Sequence, residues 1–156
     1  QKYYSTPVGE MNVVKKMKEV SSIVGGEGGG GIIYPELHYG RDALVGIALF
    51  LALLVDKKCK VSELKPQYSE YFMKKIKITL EDSNLIDRSF KVIAENYSEL
   101  SPNTEDGVRI DFEDAWVHMR KSNTEPIIRI FAEANSQDIA NSYALKIEKE
   151  IKSISA

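Results

Sequence analysis

Between positions 120 and 131 the chain reads Arg120-Lys121-Ser122-Asn123-Thr124-Glu125-Pro126-Ile127-Ile128-Arg129-Ile130-Phe131. A guanidinium offers a planar fork of donors matched to two oxygens of a tetrahedral oxyanion. Ser122 and Thr124 each add a hydroxyl donor, Asn123 tolerates positive φ, and successive backbone N–H groups in such a turn can form an anion-binding concavity. Pro126 ends the turn, because the residue before a proline is pushed towards extended backbone. Arg129 then interrupts an apolar strand; buried unpaired it would be costly, so it is expected to face a ligand or solvent. The chemistry predicted for Arg120, Ser122, Asn123, Thr124 and Arg129 is the binding of a phosphate group. A polar hairpin loop carrying surface arginines is the plain alternative.

A second candidate lies upstream. Glycine fills every position from Gly25 to Gly31 except Glu27. Without Cβ atoms at Gly28 and Gly29 the backbone can approach a sugar ring closely, and the Glu27 carboxylate can accept two hydroxyl hydrogen bonds. A flexible linker is the plain alternative here. No Lys-Ser or Lys-Thr follows, so the run is not a Walker motif. The two histidines, His38 and His118, stand apart from clustered carboxylates or thiols, and no metal site is predicted. His118 alternates with Val117 and Met119 on a strand and reads as a surface side chain or one remote from any ligand. Arg41 and Asp42 read as the start of a helix.

The elements that must position these groups follow from periodicity. Residues 7–20 have helical spacing with Met11, Val14, Met17 and Val20 as a narrow apolar stripe, and Ser21 to Val24 read as a short strand. Ala43 to Val55 is a continuous apolar run, too short for the ~20 residues that span a bilayer, and reads as a buried helix. One or two helices and a strand cannot enclose such a segment, so residues 1–60 are expected to belong to a larger α/β domain and to self-associate, packing against a symmetry mate or partner chain or by swapping. After a linker at 61–67, residues 68–156 read as a complete domain. Tyr71 to Leu80 alternates as a strand, and Asp82 or Ser83 caps a helix with Leu85, Ile86, Phe90, Ile93, Ala94 and Tyr97 on one face. Val108 to Phe112 and Ala115 to Met119 form a hairpin, Ile127 to Ala134 a further strand, and Ser136 caps a last helix with Ile139, Tyr143, Ile147, Ile151 and Ile154 inward. The fold class predicted is α+β: a four-stranded antiparallel sheet with two helices on one face.

Composition bounds the rest. The 156 residues are 43% apolar and 28% charged, a globular balance. A net charge of −2 argues against broad binding to nucleic acid or acidic membranes, so neither partner is expected. One cysteine, Cys59, excludes an internal disulfide and points to a reducing, cytoplasmic setting. The chain opens in mid-pattern without an initiator methionine or signal sequence, which predicts a piece of something longer.

The run RKSNTEPIIRI resembles the phosphate-binding loop in the last domain of the α-D-phosphohexomutases, the family of phosphoglucosamine mutase, phosphomannomutase and phosphoglucomutase. The glycine run followed by IIYPELHYGRDALVGIALFL is similar to the sugar-recognition loop and helix of the family's third domain. The family loop carries Ser or Asn where this chain has Gly29, so Glu27 remains as the sugar contact and the second contact loses its side chain. Thr6-Pro7-Val8-Gly9-Glu10 resembles a further loop near the sugar and implies a contact from Glu10. The resemblance spans nearly the whole chain. It implies that residues 1–60 are the C-terminal part of the third, sugar-recognition domain, and that the last domain folds like the TATA-box-binding protein, without that protein's basic saddle. It also implies a Mg2+-dependent parent that moves a phosphoryl group between the 1- and 6-positions of a hexose or hexosamine phosphate through a bisphosphate intermediate. The family's Thr-Ala-Ser-His-type serine loop and Asp-Gly-Asp-Gly-Asp metal loop are not found here. Catalytic residues and metal ligands are therefore expected in missing N-terminal domains, and this chain alone is expected to be inactive. Phosphoglucosamine and phosphomannomutase fit about equally, phosphoglucomutase less well. A stand-alone sugar-phosphate-binding module is the alternative.

Overall fold

The computed structural model describes residues 2–79, 83–122 and 125–155. The chain divides into two compact units, residues 1–68 and 69–156.

Unit 1 opens with α1 (Glu10–Val20), whose entry is turned by Gly9 at φ 127° and whose exit is turned by Ser21 at φ 52°. Val14 and Met17 face inward against Ile33, with Val13 packed beside them. Met11, expected in the apolar stripe, is exposed instead. The strand expected at Ser21 to Val24 is absent; the extended pieces are β1 (Gly25–Gly26), β2 (Ile32–Tyr34) and β3 (His38–Arg41), an antiparallel ribbon in that order. The Met17 side chain rests on the bare backbone of Gly25, where a Cβ would run into its sulfur. Asp42 caps α2 (Ala43–Lys57) by accepting a hydrogen bond from the Val45 N–H at 3.0 Å. The burial expected for α2 is not found: none of its residues is buried within unit 1. The apolar run satisfies its backbone as a helix, but the described residues of unit 1 supply no second layer to cover it. Residues 61–67 are helical, as α3 (Val61–Leu64) and a 3-10 turn at Lys65–Gln67.

Unit 2 runs β4 (Phe72–Thr79), α4 (Ser83–Asn96), β5 (Val108–Asp111), β6 (Ala115–Lys121), β7 (Ile127–Ala134) and α5 (Gln137–Ser155), with strand order β4-β7-β6-β5 and every pair antiparallel. The fold class is the α+β arrangement read from the sequence. Asp82, a candidate cap, and Leu80 lie outside the described residues. Ser136 accepts from the Ile139 N–H at 3.2 Å and starts α5 as expected. Alternation does the rest: Ile78, Ile110, Val117, Met119, Ile128 and Ile130 point to the helices and meet Ile86, Ile93, Ala144, Ile147 and Ile151 in one closed core. Within unit 2 both helices lie on this core face, and the strand residues between these core positions project from the opposite one.

Candidate functional site

Strand register decides which side chains share the open face. Arg120 of β6 is the direct cross-strand partner of Arg129 of β7, and Arg129 is in turn the partner of Lys77 of β4. Three cations therefore stand in one row, on the same face as Trp116, His118 and Phe131. Like charges directly opposite one another destabilise a sheet. Such a local conflict is expected where a site is built for an anion.

Neighbouring carboxylates offset the row unevenly. Arg120 Nε lies 3.0 Å from Asp106 Oδ2, with both side chains about a quarter exposed. The Nε atom is shut off from water, yet the approach is too oblique for a hydrogen bond, so this is an ion pair with an under-used donor. Lys77 is 3.6 Å from Glu125, both well exposed. Arg129 is exposed and has no carboxylate partner among the described residues. At the other end of the face the charges cancel: Arg109 is 2.7 Å from Asp111 and lies 4.8 Å over the Trp116 ring, whose N–H donates to Glu133 at 3.0 Å. Positive charge without a carboxylate partner among the described residues thus includes Arg129, near the end where β6 and β7 join, and Lys75, further along the face beside Phe131.

That junction is the predicted loop. The Ser122 N–H donates to the Ile127 carbonyl at 3.0 Å, and Pro126 sits between Glu125 and Ile127, whose C=O and N–H close a tight turn at 2.8 Å. Ser122 continues the alternation of His118 and Arg120 and so projects from the same face. Asn123 and Thr124 lie outside the described residues. Arg120, Ser122 and Arg129 are therefore gathered at one edge, with Arg120 held by a carboxylate that sequence reading overlooked. The signal for Asp106 was the positive-φ Gly107 after it: φ is 79°, and a Cβ there would strike the Met119 carbonyl oxygen. That close approach brings Asp106 over the start of Arg120.

His118, read from sequence as ligand-remote, is half-buried two residues before Arg120, and its Nε2 meets the Asp106 carbonyl oxygen at 2.6 Å. Burial pushes its pKa down, aided by Arg120 and Arg109; the Asp106 contact pulls the other way without prevailing.

In unit 1, Glu27 occupies the turn between β1 and β2, closed by Glu27 N–H to Gly31 C=O at 3.0 Å and Gly30 N–H to Glu27 C=O at 2.9 Å. A Cβ on Gly28 or Gly29 would meet nothing within 4 Å, so the turn beside Glu27 opens to its surroundings. The glycine run is consequently a shaped ribbon turn and not a slack linker. Glu10, the other candidate carboxylate, is brought to Glu27 through Arg41: Arg41 Nε lies 2.8 Å from Glu10 and Nη1 3.2 Å from Glu27. Arg41 does not serve the helix start, as its sequence position had implied; Asp42 alone does. The Arg41 N–H and guanidinium hold the Glu10 carboxyl below its ordinary pKa. Among the described residues no three His, Cys, Asp or Glu side chains gather to hold a metal ion.

Comparison with known proteins agrees with this architecture. Residues 1–71 match the phosphoglucomutase/phosphomannomutase alpha/beta/alpha domain III, and residues 57–150 match the phosphoglucomutase/phosphomannomutase C-terminal domain. The chain is 36% identical over 149 residues to a phosphoglucosamine/phosphogalactosamine mutase of Sulfurisphaera tokodaii, covering 94% of this chain and 33% of that protein. It is also 36% identical over 148 residues to a phosphoglucomutase/phosphomannomutase of Thermococcus kodakarensis, covering 91% and 31%. Among solved structures, a phosphoglucomutase/phosphomannomutase family protein of Burkholderia thailandensis shares the fold at TM-score 0.68 and 22% identity, over 94% of this chain and 31% of that one. The chain spans about a third of the length of the curated relatives it matches. On the strength of both domain matches and these relatives, it belongs to the phosphoglucomutase/phosphomannomutase family, the α-D-phosphohexomutases.

Proposed function

We propose that this chain is the C-terminal portion of a phosphohexomutase, acting on a hexosamine or hexose phosphate, and that its share of the work is binding. Unit 2 holds a phosphate group through Arg120, Arg129, Ser122 and the loop residues Asn123 and Thr124. Unit 1 offers Glu27 and Glu10 to sugar hydroxyls. The observation that carries the reading is the cross-strand pairing of Arg120 with Arg129 beside the loop, a like-charge pair left with less carboxylate than it needs. Binding energy gained at the phosphate that is not reacting positions the oxygen that is. Phosphoryl transfer itself, its serine and its Mg2+ belong to chain outside this piece, and the 156 residues alone are inactive. The relatives' names, glucosamine or galactosamine in one and glucose or mannose in the other, keep both substrate classes in view.

Exposed apolar α2 supports the same reading. Further elements of the α/β domain would cover it in the parent, and the isolated chain self-associates through unit 1.

The test is an NMR titration of the chain with inorganic phosphate and with glucosamine 6-phosphate, following the Arg120 and Arg129 side-chain N–H signals. Both shift at roughly millimolar ligand. Silence of both signals at that concentration would refute phosphate binding here.

A further inference from the structure

We infer that Arg41 is a positioning residue: it ties the carboxylates of Glu10 and Glu27 into one edge and so fixes the direction in which Glu27 presents itself to a sugar hydroxyl. This rests on the proposed sugar role of Glu27 and Glu10, and adds the residue through which that role is set.

A single planar guanidinium spans both acids, with Nε at 2.8 Å from Glu10 Oε2 and Nη1 at 3.2 Å from Glu27 Oε2. The backbone of Arg41 takes the remaining Glu10 oxygen, its N–H donating to Oε1 at 3.0 Å. Glu10 is thus gripped by main chain and side chain of one residue, while Glu27 hangs from the same fork. A lysine ammonium is a point charge on a mobile stem and cannot hold two carboxylates in one plane. Exposed ion pairs add little to folding stability, and the Arg41 side chain is 54% exposed. Its effect is therefore on orientation.

Two features of the ribbon accommodate the arginine. A Cβ on Gly31 would lie 2.5 Å from Arg41 Cδ and 3.1 Å from Cγ, so the stem rests on bare backbone there. Ile33 is the cross-strand partner of Arg41, and the Asp42 N–H donates to the Ile32 carbonyl at 2.9 Å, which pins the β3 end from which the stem departs. Gly28 and Gly29, next to Glu27 on the other side, face open space. The glycines of this turn therefore divide into Gly31, which seats the arginine, and Gly28, Gly29 and Gly30, around which the space is open.

The experiment is a set of NMR titrations on the whole chain with glucosamine 6-phosphate and, separately, inorganic phosphate. Arg41→Met weakens glucosamine 6-phosphate about tenfold, as expected for a lost charge-assisted contact, and leaves inorganic phosphate unchanged. Glu27→Gln does the same, and the double variant binds no worse than either single one, because both changes remove one interaction. Arg41→Lys restores only part of the affinity. Gly31→Ala, which keeps every charge but lifts the stem, reproduces the loss and carries the test should Arg41→Met fail to fold. The Glu10 carboxyl carbon titrates at higher pH in Arg41→Met. Losses that multiply in the double variant, an equal loss for inorganic phosphate, or an unmoved Glu10 titration each overturn the inference. If the unsubstituted chain binds glucosamine 6-phosphate no tighter than inorganic phosphate, the sugar role and Arg41's part in it fall while the phosphate reading stands. If neither ligand binds, both fall.

Discussion

Two helices of similar sequence length meet opposite fates in this chain. In unit 2, α5 alternates charge with a stripe of Ala140, Ala144, Ile147 and Ile151, all fully buried against the sheet. In unit 1, α2 is far more apolar, yet Leu44, Ile47, Leu51 and Val55 are all more than half exposed. The more hydrophobic helix is the less buried one. Hydrophobicity alone sets how much surface an element needs covered; amphipathic patterning shows whether one layer suffices. Unit 2 needs one layer for its sheet and has it, whereas α2 needs cover on every side.

The sharpest way to break this contrast is to truncate one side chain in each helix. Ile147→Ala removes a buried branch from a closed core and destabilises unit 2 by about 2–5 kcal/mol. Leu44→Ala, at a position 78% exposed, changes unit 1 stability by less than about 0.5 kcal/mol. Chemical denaturation followed by signals from each unit measures both. A large loss from Leu44→Ala in a dilute, monomeric sample would mean that α2 is already packed within unit 1.

Glycines give the next largest contrast. Gly107 holds φ at 79° with the Met119 carbonyl against its Cα, so Gly107→Ala adds strain and a backbone clash at a cost of about 1–3 kcal/mol. Gly29→Ala meets nothing within 4 Å and keeps an ordinary φ, so it leaves stability within about 0.5 kcal/mol of the parent. Thermal unfolding of the two variants separates a glycine that the fold demands from one that leaves a surface clear. Gly29→Ala should instead show itself, if anywhere, in sugar-phosphate binding.

Most of unit 2 was legible in the sequence because alternation at Val108 to Asp111 and Ala115 to Lys121, and helical spacing from Leu85 to Tyr97, are local signals with one geometric meaning. That Arg120 and Arg129 flank one short loop was legible; the register that sets them directly opposite each other was not. Asp106 and Arg41 were not legible. Asp106 reaches Arg120 across a hairpin and through a glycine conformation, and Arg41 reaches Glu10 from 31 positions further along the chain. Contacts of that range depend on tertiary closure, which leaves no period in the sequence. Arg41 was further masked by standing next to Asp42, a helix cap whose role explained both residues too easily.

Arg129→Ala tests the like-charge row from the other side. Removing it relieves repulsion from Arg120 and Lys77, so stability rises by about 0.2–1 kcal/mol. The same change weakens inorganic phosphate roughly tenfold, since a charge-assisted contact is lost. A variant that is less stable and binds phosphate normally would show Arg129 to be structural.

The smallest effect is a difference in how the two units respond to acid. His118 in unit 2 has its pKa lowered by burial, so the unfolded chain takes up a proton at a pH where the folded one does not. Its contribution is intact above the ordinary imidazole value and declines as pH falls through the lower folded value. Around it stand Asp106, which favours the proton, and Arg120 and Arg109, which oppose it. In unit 1 the lowered groups are Glu10, through Arg41, and Asp42, through the Val45 N–H and His38. Their contribution is present above the ordinary carboxylate range and is lost only as pH falls through their depressed values. Unit 2 therefore begins to weaken at higher pH than unit 1. Denaturation midpoints read unit by unit between neutral and acid pH should show that order, and His118→Gln should abolish the earlier decline while unit 1 titrates as before. Simultaneous weakening of both units, or an earlier decline that survives His118→Gln, would place the responsible proton on another group.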